Sequence, residues 1–388
     1  MKLLISTQST IEYDGHSYYG NSVNAVWNRY RFLSNDSVVI CHVKEVKQAT
    51  QDKLDKDVKI EVIRKINTVR AVVKRYSKGN DEVAKRLVRE ADICIVHLPS
   101  DNGYQVIKYC KKYGKPYMTV VCGCIWDALW NHGWQGKLLA PRGYFQLKNA
   151  LSESRYSIYV TNEFLQRRYP TQGKSIGCSN VNIHTGIAGV LEKRLANIEQ
   201  GNKNKRILRI GTAAAVDVAY KGQEYVIRAL ALLKKQGITF EYHLIGRGDC
   251  SRLKAIAEEV GVENQVYFHG AIPHDEVLDF LDSIDIYVQP SKQEGLPRSL
   301  IEAMSRGCFC LGSKTAGIPE LLEPHYVFPK GNVKMIASIL KEIRADDFRE
   351  QAKRNFEKVK EYDVNFLNKR RSYFLVEFKN EVLKKIYK

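Results

Sequence analysis

Nowhere in its 388 residues does the chain offer 18 consecutive apolar residues, so no segment reads as a membrane-crossing helix. The opening Met1-Lys2-Leu3-Leu4-Ile5-Ser6-Thr7 carries a short apolar run and no small-residue cleavage site. It reads as a first buried strand, not as a signal peptide. There is no C-x-x-C among the nine cysteines and no Cys/His spacing of a zinc site. The two Cys-x-Cys pairs, 122/124 and 308/310, would place both side chains on one face of a strand, which suits core packing. An odd, scattered set of thiols fits a reducing, cytoplasmic compartment. No RNA-recognition signature is present, and no repeat of solenoid length. Acidic residues are in deficit: 43 Asp and Glu face 61 Lys and Arg, a net charge of +18.

Most of that charge lies in the first half. The stretch from Lys59 to Arg89 holds Arg64, Lys65, Arg70, Lys74, Arg75, Lys78, Lys85, Arg86 and Arg89. Val62, Ile66, Val69, Val72 and Val73 would form the opposite face of a helix over 59–76. Such a field suits nucleic acid or an anionic membrane surface, and the missing nucleic-acid motifs favour the membrane.

What is present is alternation. Short β-branched runs at 2–6, 38–43, 93–97, 117–122, 156–161 and 174–178 are separated by helical patterns at 21–33, 59–76, 82–90, 103–112 and 144–151. A polar, aperiodic stretch at 189–205 reads as a linker. A second alternation follows. Its strands fall at 206–210, 240–245, 266–269, 284–288, 308–312 and 326–328. Its helices fall at 223–235, 250–260, 274–283, 299–306, 319–322 and 333–345. The pattern predicts an α/β chain of two Rossmann-like domains, 1–188 and 206–360, with a final helical segment, 361–388, returning to the first.

The chemistry concentrates at Gln289-Pro290-Ser291-Lys292-Gln293-Glu294-Gly295-Leu296-Pro297 and the helix that follows. A strand end, a Gly-containing loop and a helix start make an anion site from backbone amides and the helix dipole. Glu294 and Glu302 flank this corner. Spacing alone leaves Glu302 as a surface residue pairing with Arg298 or Arg306.

From Ile210 to Leu322 the ordered motifs resemble the donor domain of retaining glycosyltransferases of family 4. They are Gly211, Lys221-Gly222, Leu244-Ile245-Gly246-Arg247-Gly248, Val266-Tyr267-Phe268-His269-Gly270, His274-Asp275-Glu276-Val277 and Asp285-Ile286-Tyr287-Val288. Pro290-Ser291, Glu294-Gly295-Leu296-Pro297, Ile301-Glu302-Ala303-Met304 and Ala316-Gly317-Ile318-Pro319-Glu320 complete the set. Around 156–170 the first half is similar to bacterial capsule and exopolysaccharide transferases. The resemblance implies the GT-B architecture, two Rossmann-like domains facing across a cleft. It implies transfer of a hexose or N-acetylhexosamine from a UDP- or GDP-sugar to a hydroxyl, with retention and without a metal or other cofactor. The acceptor would be a sugar or a lipid-linked sugar, and the protein would sit in the cytoplasm or on the inner face of the membrane.

The resemblance also implies roles. Lys221 would reach the donor diphosphate, and the segment Gly295, Leu296 and Pro297 would cup the diphosphate or sugar. Glu294 would lie on the sugar side, Glu302 would accept from ribose hydroxyls, His269 and Gly270 would border the base, and Gly317 would approach the sugar or phosphate. Thr212 stands where the family often has an arginine, and Arg247 is the candidate replacement. The Gly-rich acceptor loop is represented in part by Asp14-Gly15-His16-Ser17-Tyr18-Tyr19-Gly20, with Tyr18, Tyr19 and Gly20 as the acceptor-side residues. The usual histidine near the anomeric carbon is missing after 117–122, which leaves His97, Asp127 and His132 as candidates. These departures keep a second reading open, a non-catalytic subunit of glycosyltransferase shape that binds a partner enzyme.

Overall fold

The computed structural model describes residues 1–65, 78–204, 206–273 and 275–386. The chain divides into two compact units: residues 1–178 with the last helix from Asn368 onward, and Ser179–Leu367.

In the first unit the strands are β1 (Lys2–Tyr13), β2 (Tyr18–Tyr19), β3 (Asp36–Glu45), β4 (Ile60–Ile63), β5 (Ile93–Leu98), β6 (Tyr117–Val121), β7 (Tyr156–Tyr159) and β8 (Lys174–Gly177). They form one sheet in the order β4-β3-β1-β5-β6-β7-β8, all parallel, with β2 folded back antiparallel on β1. The runs in β5, β6 and β7 are buried at every position, as expected of parallel strands covered on both faces.

Several expectations are corrected here. Ile60–Ile63 is a strand, so the helix expected over 59–76 does not begin there; the rest of it, 66–76, lies outside the described residues. The helix expected at 144–151 is the end of a longer one, Gly133–Ser152, which carries Pro141 inside it. Glycines and that proline concealed its first half. β6 stops at Val121, so Cys122 and Cys124 lie in the turn beyond it, not on one strand face. All nine cysteines are free.

The second unit has β9 (Leu208–Ala213), β10 (Phe240–Ile245), β11 (Val266–Gly270), β12 (Ile286–Gln289), β13 (Phe309–Ser313) and β14 (Val327–Phe328). Their order is β11-β10-β9-β12-β13-β14, again all parallel. The chain therefore builds outward from β9 in one direction, then returns and builds outward in the other. β9 and β12 are neighbours across that reversal.

The stretch expected as a linker contains a helix, Val190–Asn204. Its anchor is Arg194, only 5% exposed. The guanidinium donates to the carbonyls of Arg306 (2.8 Å), Ile284 (2.6 Å) and Leu281 (2.7 Å). Leu281 and Ile284 are in the last turn and at the cap of helix Glu276–Ser283, before β12, and Arg306 caps the helix before β13. One arginine in a polar run carries no periodic signal, although it ties two helix ends together. Replacement by methionine leaves three buried carbonyls without this donor. Arg194→Met is expected to cost on the order of 3 kcal/mol or more, read as a fall in the urea midpoint of the full chain. An unchanged midpoint would contradict the anchoring role.

Candidate functional site

Parallel strands deliver every strand-to-helix loop of the second unit to one edge of its sheet. In such sheets ligands bind beyond the carboxyl ends, where the strand order reverses. Here the reversal lies between β9 and β12. Lys221 follows β9 in a single 3-10 turn, Ala219–Lys221, and Glu294 follows β12. Their side chains meet, Lys221 Nζ to Glu294 Oε1, at 2.7 Å. The two are 23% and 11% exposed, close enough to the surface to meet a ligand and shielded enough for the charges to act strongly.

A relay holds Glu294 in place. The Ala213 amide donates to the Tyr287 hydroxyl (3.4 Å), and that hydroxyl donates to Gln289 Oε1 (3.0 Å). Ser299 Oγ donates to the same oxygen (3.2 Å). Gln289 Nε2 then donates to Ser291 Oγ (2.8 Å) and to Glu294 Oε1 (3.2 Å). Burial, with the Glu302 carboxylate nearby, pushes the Tyr287 phenol far up, so it stays a donor. The stretch from Gln289 onward stands out in the sequence, but the roles of Tyr287, Gln289, Ser291 and Ser299 in this relay do not. The i, i+2 alternation of Tyr287 and Gln289 on β12 was the available signal.

The loops around this pair are stitched together by backbone. The Lys292 amide donates to Tyr220 O (2.7 Å). Gly222 has φ +79°, and a Cβ there would lie 2.2 Å from the Pro290 carbonyl. No other residue fits this close approach. The Gly317 amide donates to Gly295 O (2.9 Å), so that N–H is committed to the loop. Ala316, just before it, holds φ +45°, a strained backbone at the site's rim. Gly295, Leu296 and Pro297 lead into helix Arg298–Ser305, with Pro297 as its cap and the first-turn amides free of intrahelical acceptors.

Glu302 lies in that helix and is 9% exposed. Arg306 is paired with Asp282, at 2.6 and 2.7 Å. Gly270 and Gly246 are joined by a 2.8 Å backbone bond, and Arg247 accepts from the Val216 amide through its carbonyl while its side chain is exposed. His269 is exposed and stacks on His243, with Nε2 3.0 Å from His243 Nδ1. Thr212, at the position of the absent arginine, is fully buried. It donates to Val288 O (2.7 Å) and accepts from Tyr242 OH (2.9 Å), so its side chain ties β9 to β12.

The other candidates belong to the first unit. Tyr18 stacks on Tyr13 with ring centroids 4.7 Å apart, and Tyr19 OH donates to Asp14 Oδ2 (2.7 Å). That bond and the amides of Ser17 and His16 pull the Asp14 carboxyl down to about 2. Gly20 caps helix Asn21–Tyr30, and a Cβ there would lie 2.7 Å from Ile11 Cγ2. Asp127 is half-buried on helix Ile125–Trp130, and His132 is exposed at the start of Gly133–Ser152. A buried pair not singled out in the sequence, His42 Nε2 to Asp101 Oδ1 at 2.9 Å, lies on the same side of this sheet's β3 and β5. Among the described residues no group of three His, Cys, Asp or Glu could hold a metal ion, and no helix is long and apolar enough to cross a membrane.

His97, at the end of β5, is 6% exposed, and its Nε2 lies 3.1 Å from the Tyr30 hydroxyl. Burial, with the positive charges of Arg29 and Arg371, pushes its pKa down to about 3. The imidazole is therefore neutral at physiological pH. An unfolded chain binds this proton near pH 6.5 and the folded one near 3, so stability falls as pH drops through that window. His97→Gln is expected to flatten this part of the melting-temperature profile relative to the parent chain. Parallel profiles would show that His97 does not titrate in this way.

Comparison with known proteins agrees with this geometry. The family described as "Glycosyl transferases group 1" matches residues 196–360. The protein is 29% identical to Protein CapJ of Staphylococcus aureus, over 98% of this chain and 96% of that one. It is 32% identical to amylovoran biosynthesis glycosyltransferase AmsK of Erwinia amylovora, over 47% of this chain and 48% of that one. Among solved structures, Anabaena Alr3699/HepE in complex with UDP and glucose aligns with a TM-score of 0.66 at 16% identity, covering 97% of this chain and 99% of that one. At that identity the likeness establishes the fold, two α/β units of GT-B type. Lys221, the Glu294 corner and Glu302 all lie inside the matched segment, and residues 196–360 of the chain form a group 1 glycosyltransferase domain.

Proposed function

We propose that the protein is a glycosyltransferase of surface polysaccharide biosynthesis. It moves a hexose or N-acetylhexosamine from a UDP- or GDP-sugar to a hydroxyl of a sugar or lipid-linked sugar acceptor, with retention at the anomeric carbon. The observation that carries this reading is the Lys221–Glu294 pair at the strand-order reversal of a group 1 glycosyltransferase domain. Two of the similar proteins support its parts: AmsK is named for amylovoran biosynthesis, and HepE structures hold UDP or UDP-glucose.

The bond from the anomeric carbon to the diphosphate breaks with its electron pair leaving on the phosphate oxygen, a bond to the acceptor oxygen forms, and the acceptor hydroxyl's proton passes to the departing diphosphate. Negative charge grows on the departing diphosphate. Lys221, held 2.7 Å from Glu294, is the cation placed to turn toward it. The first-turn amides of helix Arg298–Ser305 add a fixed partial positive charge at no reorganisation cost. Arg247, exposed beyond β10, is available to contribute a second cation. Glu294, once Lys221 leaves it, remains oriented by Gln289 and can accept from sugar hydroxyls. Glu302, buried behind the loop, accepts from the ribose.

These roles separate in kinetics. Lys221→Ala removes a charge needed most in the transition state, so kcat/KM is expected to fall by roughly 100- to 1,000-fold, largely through kcat. Glu302→Ala removes binding present throughout, so the donor KM rises by roughly 10- to 100-fold with a smaller change in kcat. A thermal-shift screen of nucleotide sugars identifies the donor, because ligand raises the melting temperature by mass action. No shift and no turnover with any common donor would point to the partner-binding subunit instead.

A further inference from the structure

Helix Ile125–Trp130 follows β6 and helix Phe164–Arg168 follows β7, so both stand at the carboxyl edge of the first unit's sheet. With the middle of Gly133–Ser152 they enclose a cavity of about 600 Å³, within the size range of small-ligand sites. Its walls are rings, those of Trp126, Tyr144, Phe145 and Phe164. Trp126 lies flat on Trp130 (centroids 5.5 Å apart, 13°) and meets Tyr144 edge-on (6.3 Å, 88°), so neighbours hold the ring planes in place. Two cations reach the same cavity. Arg167 is exposed and paired with Glu163 at 3.4 Å. Arg168 is half-buried, and its Cζ lies 5.7, 5.8, 5.9 and 6.0 Å from the ring centroids of Trp126, Tyr144, Phe164 and Tyr169. Ring faces attract a guanidinium but do not replace an oxygen acceptor. The Arg168 Nε is buried and has no hydrogen-bond acceptor. Among the described residues no carboxylate lies within ion-pair distance of Arg168, and Asp127 acts on it only from farther away.

We propose that this cavity binds a carboxylate-bearing sugar unit, a hexuronate residue of a glycan. The two parts of the site match the two parts of that ligand. A pyranose presents a face of C–H groups with slight positive charge, which packs on the negative face of an aromatic ring. Its carboxylate is planar and takes two parallel hydrogen bonds from one guanidinium. A buried donor without an acceptor costs free energy that an entering carboxylate recovers. A neutral sugar would use the rings and leave the cation unanswered. As a binding site the cavity stands on this geometry alone; as the place that holds an acidic acceptor it rests on the glycosyltransferase reading above.

The test is titration calorimetry of the full chain, without donor, using trigalacturonate, its methyl ester and maltotriose at fixed ionic strength. Trigalacturonate is expected to bind roughly tenfold or more tightly than the ester, because esterification removes the charge and keeps the ring face. Maltotriose should bind no better than the ester. Arg168→Gln should abolish the preference for the acid, whereas Arg167→Gln, at a cation already paired with Glu163, should keep it. A general attraction of the acid to a basic chain would survive Arg168→Gln. Phe145, 57% exposed, can change without unfolding the chain, and Phe145→Ser should weaken acid and ester alike. Circular dichroism checks the fold of each variant. Donor binding is read separately by thermal shift with nucleotide sugars and should be unchanged in Arg168→Gln, so failure of the donor reading and failure of the sugar site are distinguishable. No binding of trigalacturonate, equal binding of acid and ester, an unaltered preference in Arg168→Gln, or displacement of the acid by equimolar inorganic phosphate would overturn the proposal.

Discussion

All strands of the second unit run the same way, and the rest of its organisation depends on that constraint. Parallel strands cannot be joined by tight turns, so each is followed by a crossover that ends at the same edge of the sheet. When the order reverses, two of those loops leave in opposite directions and a crevice opens between them. Lys221 and Glu294 stand on its two sides. The opposite edge has a different task. There Asp285 accepts two bonds from Arg206 and one from the Arg209 amide, which clamps the entry to β9 and β12 far from the ligand edge. Structure and chemistry are thus divided between the two ends of the same strands.

Much of the fold was legible because buried parallel strands leave near-continuous apolar runs. β10 falls at Phe240–Ile245, where the sequence places it, and β5 extends the expected run by one residue. Failures have physical reasons. Ile60–Ile63 is too short to outweigh the helical spacing of the valines that follow. Val190–Asn204 looks like a linker because one of its buried anchors, Arg194, is a charged residue that adds nothing to a hydrophobic period. Gly133–Ser152 is broken in the sequence by glycines that serve close helix packing, as at Gly136, where a Cβ would lie 2.1 Å from the Leu129 carbonyl.

The candidate site was legible in its charges and not in its supports. Lys221, Glu294 and Glu302 stand out as ionisable groups near glycines and helix starts. The relay through Tyr287, Gln289 and Ser299 lies in stretches that stand out, but neutral side chains do not announce which bonds they make. Yet that relay fixes which way Glu294 points, and Thr212 shows the converse. At a position where a charge is expected, the hydroxyl is consumed by β12 and by Tyr242, so this side chain is committed to the sheet. In the first unit the burial of His97 gives its ring to Tyr30, a partnership that no spacing announces.

The distribution of charge carries the last step. Composition locates the densest run of cations at 59–89, and there acidic partners absorb several of them. Lys59 pairs with Asp36, Lys85 with Glu82, and Arg86 with both Glu61 and Glu90. A cation already paired projects little field. The helix Gly133–Ser152 has only three basic residues, but no acid along its length and exposed aromatic and aliphatic side chains between them. The number of cations in a run therefore overstates its field wherever acids stand against them, as Glu61 and Glu90 do at Arg86.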